Sequence, residues 1–479
     1  MTTSDQTYHS PLEGRYASPE MQAIWSDRRK FTTWRRIWIA LAEAQKQLGL
    51  PITDDQIDEL IAHAHEIDYE RAAKYERELR HDVMAHVHAL GDLAPKARPI
   101  IHWGATSQDV NCNTELLQLR EALGLIAAKL ARVIDALGSF AAKHRALPTL
   151  GFTHYQPAQP VTVGKRATLW AQDLVLALEG VEHELHSLRF RGVKGATGTQ
   201  ASFLALFDGD ESKVEQLDRL FCEKLGWPAD RRYAVTGQTY PRVVDARIIN
   251  ALSVAAAAAH RMATDIRLLA NRKEIEEPFE RHQVGSSAMP YKRNPMRCER
   301  ACSLARFVMS LAQNPLNTAA VQWLERTLDD SANRRLTLPE AFLALDGTLD
   351  ILHNVSAGLV VYEATIRANL MAELPFMASE NLMMAAVKQG ADRQAAHEVI
   401  RRHAQAAAER VKREGEGNDL LDRLRAEPMF ASVDLNTVMD PYAYIGRASS
   451  QVDAFIREVV EPIRVRYREN LGAKAELRV

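Results

Sequence analysis

LLQLREALGLIAAKLARVIDALGSF, residues 116–140, decides the fold. Within it Leu116, Leu119, Leu123, Ile126, Leu130, Val133, Leu137 and Phe140 recur at alternating steps of three and four. A mean step near ~3.5 residues keeps one apolar seam against a partner helix and implies left-handed, nearly parallel packing. The rhythm returns, less strictly, at Trp170, Leu174, Leu178, Val181, Leu185 and Leu188, and again at Ile248, Leu252, Ala255, Ala259, Met262, Ile266 and Leu269. With one polar break it recurs at Leu345, Leu349, Leu352, Ser356 and Leu359. Several such helices in one chain predict an all-α fold built on a long helical bundle. Residues 254–259 are apolar beside the seam as well. A second buried face, and so an oligomer, is the expectation.

Outside the seams, strand signals are few. Residues 150–163 and 191–207 read as connections rich in Gly, Pro and Thr. Thr53 and Gln56 form a capping-box pattern with Ile52 and Ile57 as a hydrophobic staple, and Ser212 with Glu215 reads the same way. Soft boundaries fall near 111 and 364. They divide the chain into an N-terminal helical domain (1–111), a central bundle (112–364) and a C-terminal domain (365–479) of shorter helices broken by Pro375, Gly390 and Gly415.

The 479 residues are 46% hydrophobic and 25% charged, and 60 basic against 62 acidic side chains leave a net charge of −2. That balance argues against a nucleic-acid or membrane-surface binder. The polar start and the lack of an uninterrupted apolar run near membrane length add to the expectation of no membrane. Cys112, Cys222, Cys298 and Cys302 form no Cys-x-x-Cys pair and read as free thiols of a reducing cytoplasm.

Four stretches carry chemistry. Residues 285–295, Gly285 to Pro295, place two adjacent hydroxyls, Ser286 and Ser287, with Lys292 and Arg293 in a loop that Pro290 and Pro295 keep from becoming helix. Gly285 permits backbone shapes that other residues resist. Such a loop can lie over an anion and set a hydroxyl against it. Arg80-His81-Asp82 opens a histidine-rich run with His86 and His88; His81 and His88 share a helix face and His86 points away, so a three-histidine metal site is disfavoured. Thr153 and His154 sit in a loop before a long helix, and histidine titrates near neutrality. Glu325 to Arg335 is polar where bundle periodicity predicts apolar residues; Arg326 and Arg335, with Lys292 and Arg300, suit a multiply charged anion. Familiar fingerprints fail. Gly192, Gly195 and Gly198 lack the flanking strand and helix of a dinucleotide site, and Gly164-Lys165 is no P-loop.

Together these stretches resemble the fumarase/aspartase superfamily, whose Gly-Ser-Ser-x-Met-Pro-x-Lys-x-Asn-Pro loop is matched at 285–295. The other three resemble the branch that acts on succinylated purine nucleotides, in its animal-type form. The resemblance implies a three-domain subunit with a central long-helix bundle, a mobile 282–296 loop, and a homotetramer whose active sites draw on three subunits. It implies anti β-elimination that breaks a C–N bond and releases fumarate. The substrates would be adenylosuccinate, giving AMP, and the succinylaminoimidazole carboxamide ribotide, giving its carboxamide. No metal or organic cofactor is implied.

By the same resemblance Ser286 is the base, although adjacent hydroxyls are not ranked by sequence and Ser287 stays a candidate. Lys292 and loop amides would stabilise the alkoxide, and Lys292 and Asn294 would flank the carboxylates. His154 would protonate the leaving nitrogen, with Glu299 orienting it. His81 would contact phosphate or carboxylate. Arg15, Tyr16, Arg80, Asp82, Thr106, Ser107, Thr153, Gln238, Arg300, Arg326, Ser331 and Arg335 match binding positions. Asp82, an acid, would orient ribose or a histidine rather than meet an anion. Two other readings stand beside this one: a lyase acting on argininosuccinate, and a non-catalytic scaffold. Retention of Ser286, Lys292 and His154 argues against the scaffold.

Overall fold

The computed structural model describes residues 6–435, 437–473 and 477; the polar run 1–5 lies outside them. Five helices form the centre: α1 (Ser107–Lys143), α2 (Val163–Ser187), α3 (Val243–Asn271), α4 (Met296–Ser310) and α5 (Asp330–Gly358). The seams explain them. Leu116, Leu119, Leu123, Ile126, Leu130, Val133 and Leu137 on α1 are fully buried, as are Leu252, Ala255, Ala259, Met262 and Ile266 on α3. α1 lies against α2 and α5, and α3 against α2, α4 and α5. Thr106 and Asp109 close a capping box at the start of α1, and Thr162 accepts from the Lys165 amide at the start of α2.

α1 and α5 run parallel. Near one end Arg334 Nη2 meets Glu115 Oε2 at 2.9 Å; farther along, Lys129 lies between Asp346 (2.5 Å) and Asp350 (2.7 Å). The 37 residues of α1 span about 55 Å, so the two ends of the bundle are remote from each other.

Other segments attach to this frame. The helix Asp27–Gln47 buries Trp34 and Trp38 against it. Ala378, Leu382, Ala386, Ile400, Leu424 and Phe430 enclose a separate small core. The last helical segment returns to α1, where Val460 covers Gly138 and Arg464 donates to Asp135 at 2.6 Å.

Several local readings change. The 150–163 connection is a β-hairpin, β1 (Pro148–Thr153) with β2 (Gln156–Thr162), in antiparallel register. Pro157 and Pro160 hid it, but a two-stranded ribbon has open edges where a residue without an N–H is tolerated. The 191–207 connection contains the helix Ala201–Leu206. Helix Glu211–Lys224 is capped by Asp210, two residues before the Ser212 start read from sequence, whereas the Thr53–Gln56 box is present as read. At Gly198 (φ +83°) a Cβ would lie 1.8 Å from Thr236 O. The amide cradle nearby is filled from within: Lys194 and Gly195 N–H donate to Asp109 Oδ1 at 2.9 and 3.1 Å.

Among the described residues one helix, α3, is long and apolar enough to cross a membrane by length and composition, yet 56% of its most apolar window is buried inside the bundle. The second apolar face read at 254–259 is uncovered in the single chain: Val254 is 55% exposed, as is Leu176 on the neighbouring α2.

Candidate active site

The sequence-chosen residues collect at the two ends of the bundle. At the Ser107 end, Arg80 takes a left-handed conformation (φ 54°), turning the chain so that His81 caps the helix Asp82–Leu93. His81 Nδ1 accepts from the Met84 N–H at 3.4 Å, and Nε2 lies 3.2 Å from Ser107 Oγ. Asp82 Oδ2 accepts from Arg335 Nη2 at 2.9 Å. Thr106 is spent on the α1 cap.

Arg326, Ser331 and Arg335 line a cavity of about 280 Å³. Behind it lies a buried charge network. Arg242 and Arg326 share the Asp330 carboxylate, at 2.7 and 3.2 Å. Arg334 holds Asp245 (2.7 Å), Glu115 (2.9 Å) and the Tyr240 hydroxyl. Burial alone would raise the Glu115 carboxyl, but Arg334 and Arg242 beside it hold it below the ordinary range. Burial lowers Arg326. Gln238 ties this wall to the preceding segment: its N–H donates to Glu325 O (3.0 Å) and its amide to Ala196 O (2.9 Å).

Tyr16 and Arg300 lie partway along α5. Tyr16 packs its backbone against Gly347, where a Cβ would approach Tyr16 O to 2.6 Å, and the Arg300 guanidinium lies 6.0 Å from the Tyr16 ring centre. Arg15 beside them is exposed.

The other end carries the serine loop and the hairpin. Three hydrogen bonds fold the loop on itself: Asn294 Nδ2 to Gly285 O (2.8 Å), Lys292 N–H to Met289 O (2.9 Å), and Met289 N–H to Ser286 Oγ (3.1 Å). Gly285 is needed for close approach rather than for unusual torsions, since a Cβ there would sit 2.2 Å from Lys292 O. Ser286 is half-buried and Ser287 exposed. Lys292, Asn294 and Arg293 line an open cleft with Arg267, Lys273 and Tyr362. Arg297 anchors the loop's exit through Asn354 Oδ1 at 2.9 Å.

His154 stands at the hairpin tip. It and Tyr155 have φ of 54° and 56°, the double left-handed turn that normally selects Asn-Gly. His and Tyr there hold the backbone in a sparsely populated region, a common property of functional positions. Phe152 pins the strand below, with the Arg272 guanidinium 4.8 Å from its ring centre. His154 is exposed, and Thr153 with it.

The structure thus joins His81, Asp82, Ser107, Arg326, Ser331 and Arg335 at one end, and Ser286, Lys292 and Asn294 at the other. It does not join the ends: the 29 residues of α5 put about 43 Å between them. Nor does it pair Glu299 with His154; Glu299 lies on α4, 4.0 Å from Arg267 Nη2. The sequence reading missed Arg242 and Lys30 around the cavity, and gave no role of their own to Asp330 and Arg334 inside the 325–335 stretch. The available signal was charge at the buried-seam end of helices that are otherwise apolar. Among the described residues no group of three or more His, Cys, Asp or Glu is placed to hold a metal ion.

A long-helix bundle that presents this serine loop defines a lyase of the fumarase/aspartase superfamily; residues 14–310 match the family model described as lyase. Residues 375–455 match a second, described as the adenylosuccinate lyase C-terminus. The chain belongs to the adenylosuccinate lyase family. It is 52% identical to the adenylosuccinate lyase of Schizosaccharomyces pombe, over 95% of each chain. It is 48% identical to that of Schistosoma mansoni, over 99% of each. Among solved structures it resembles a 3-carboxy-cis,cis-muconate lactonizing enzyme from Pseudomonas putida (TM-score 0.80, 26% identity, 95% of this chain and 99% of that one).

Proposed function

We propose that this protein cleaves adenylosuccinate to AMP and fumarate, and the succinylaminoimidazole carboxamide ribotide to its carboxamide and fumarate, within purine nucleotide synthesis in the cytoplasm. The full-length kinship to adenylosuccinate lyases is the observation that carries this reading. Four buried free thiols support a reducing compartment.

The reaction removes a proton from carbon beside a carboxylate, which develops a second negative charge, and expels nitrogen as a leaving group. Ser286 takes the proton. The Met289 N–H already aimed at its Oγ favours the alkoxide, and this sets Ser286 ahead of Ser287. Lys292 and Asn294, on the same loop, meet the growing charge on the carboxylates; such preorganised donors supply about 3–4 kcal/mol each. His154 gives its proton to the nitrogen, a step that typically contributes ~10²–10⁴-fold. Arg326, Ser331 and Arg335 grip the anionic substrate at the far cavity, and His81, beside Ser107 at the same end, contacts its phosphate or carboxylate.

The two ends belong to one reaction only if different subunits meet. We therefore propose a homotetramer in which the serine loop, the hairpin and the cation-lined cavity of neighbouring chains converge. The uncovered apolar positions on α2 and α3, Leu176 and Val254 among them, support such an assembly. The test is direct: incubate the purified protein with adenylosuccinate and, separately, with argininosuccinate, and follow fumarate by ultraviolet absorbance. Release from adenylosuccinate alone is expected; release from argininosuccinate alone refutes the reading.

A further inference from the structure

Lys30 lies on the helix Asp27–Gln47 and lines the cavity with Arg326, Ser331 and Arg335. Every arginine of that wall has a carboxylate within ion-pair reach: Arg242 and Arg326 use Asp330, Arg334 uses Asp245 and Glu115, and Arg335 uses Asp82. Among the described residues, the half-buried Lys30 ammonium has none. Its nearest companions are ring faces, with Nζ 5.1 Å from the centre of Trp34 and 5.3 Å from that of Phe31. Burial lowers its pKa, and so does Arg335; Asp82, Glu115 and Asp27 act in the opposite sense without overcoming them. A second feature of the wall points the same way. The deeply buried Arg242 leaves Nη1 without a hydrogen-bond partner, with Glu115 Oε2 4.0 Å away.

An ammonium withdrawn from water beside another cation is unfavourable unless an anion arrives. Ring faces offset only part of such a deficit. A cavity whose wall holds an unpaired ammonium, an unsatisfied guanidinium nitrogen, two further guanidinium forks and a hydroxyl is complementary to an oxyanion. We infer that Lys30 is a substrate-binding residue that contacts an oxyanion of the ligand, phosphoryl or carboxylate, in the cavity it shares with Arg326, Ser331 and Arg335. The inference rests on the proposed reading of that cavity as part of the substrate site.

The test compares full-length wild-type protein with Lys30→Met and Lys30→Arg. AMP, adenosine and fumarate are titrated calorimetrically, and kcat and KM for adenylosuccinate are measured alongside. Lys30→Met is expected to weaken AMP or fumarate about tenfold or more. Adenosine binding holds, KM rises more than kcat falls, and Lys30→Arg recovers most of the loss. A loss confined to AMP assigns the phosphoryl group; a loss confined to fumarate assigns a carboxylate. Unchanged affinity for both ligands overturns the inference, as does an equal loss for adenosine. Should Lys30→Met fail to fold, Lys30→Gln takes its place. Binding of AMP and fumarate is read independently of turnover, so a wild-type protein inert toward adenylosuccinate would defeat the proposed reaction and leave the Lys30 result standing.

Discussion

Gly285→Ala tests the serine loop at its tightest point. The new Cβ would lie 2.2 Å from Lys292 O, with Arg293 Cα another 3.2 Å away. Both neighbours are backbone, so no side chain can swing aside. Relieving the contact requires the two limbs of the loop to part by about 1 Å, an overpacking penalty of roughly 1–3 kcal/mol or more. What holds the limbs together is three hydrogen bonds, those of Asn294, Lys292 and Met289, worth about 1 kcal/mol each. At the top of that range the strain matches the restraint of about 3 kcal/mol, and the loop opens. With it goes the Met289 N–H that supports Ser286 and the placement of Lys292. Losing a positioned base alone is worth ~10²-fold or more. We expect kcat for fumarate release to fall at least about a hundredfold. The urea-unfolding midpoint should hold, because the loop lies outside the buried seams. Asn294→Ala removes both a loop bond of about 1 kcal/mol and a donor to the carboxylates worth about 3–4 kcal/mol, and should likewise cost about a hundredfold or more. A Gly285→Ala enzyme with wild-type kcat would refute the claim that this closed loop geometry serves catalysis.

Other outcomes follow from the same geometry. Ser286→Ala and His154→Ala should each abolish most turnover in a folded oligomer, and mixing the two after subunit exchange should restore part of it; verified exchange without recovery rules out shared sites. Lys129→Met strands the buried Asp346 and Asp350 carboxylates, and should lower unfolding free energy in urea by about 3–5 kcal/mol; a loss under 1 kcal/mol contradicts the buried triad. His86, stacked on Phe31 at 4.0 Å, is held neutral by burial, its pKa lowered to about 4, and the unfolded chain binds that proton near its ordinary 6.5. The unfolded state therefore takes up more protons as pH falls through this window, and stability should drop between about pH 6.5 and 4 by up to about 3 kcal/mol. His86→Phe should flatten that slope, and an unchanged slope would mean that other groups carry it.

Most of the bundle was legible because a seam repeats: the periodicity of Leu116 to Phe140 needs only a partner helix, and the fold supplies several. The hairpin was not legible. Pro157 and Pro160 argue against strand in any local reading, and only the open edges of an isolated ribbon excuse them. His154 was found by its residue type and setting, while its strained turn was invisible, since His-Tyr carries no signature of a double left-handed bend. Residues of the serine loop follow one contiguous motif and were named together. Arg242 and Lys30 were passed over because they lie on separate segments, one just before α3 and one on the helix Asp27–Gln47, and nothing along the chain tells that Asp330, Asp245 and Glu115 converge on the same few ångströms. Glu299 was placed beside His154 by likeness alone; within one chain it faces Arg267 instead.

The distance along α5 has a consequence for how such a protein is born. On the proposed assembly, a newly synthesised polypeptide holds every reactive group yet is inert, because its own reactants lie a bundle's length apart. Turnover then begins only when neighbours arrive, and catalysis itself certifies that assembly is complete.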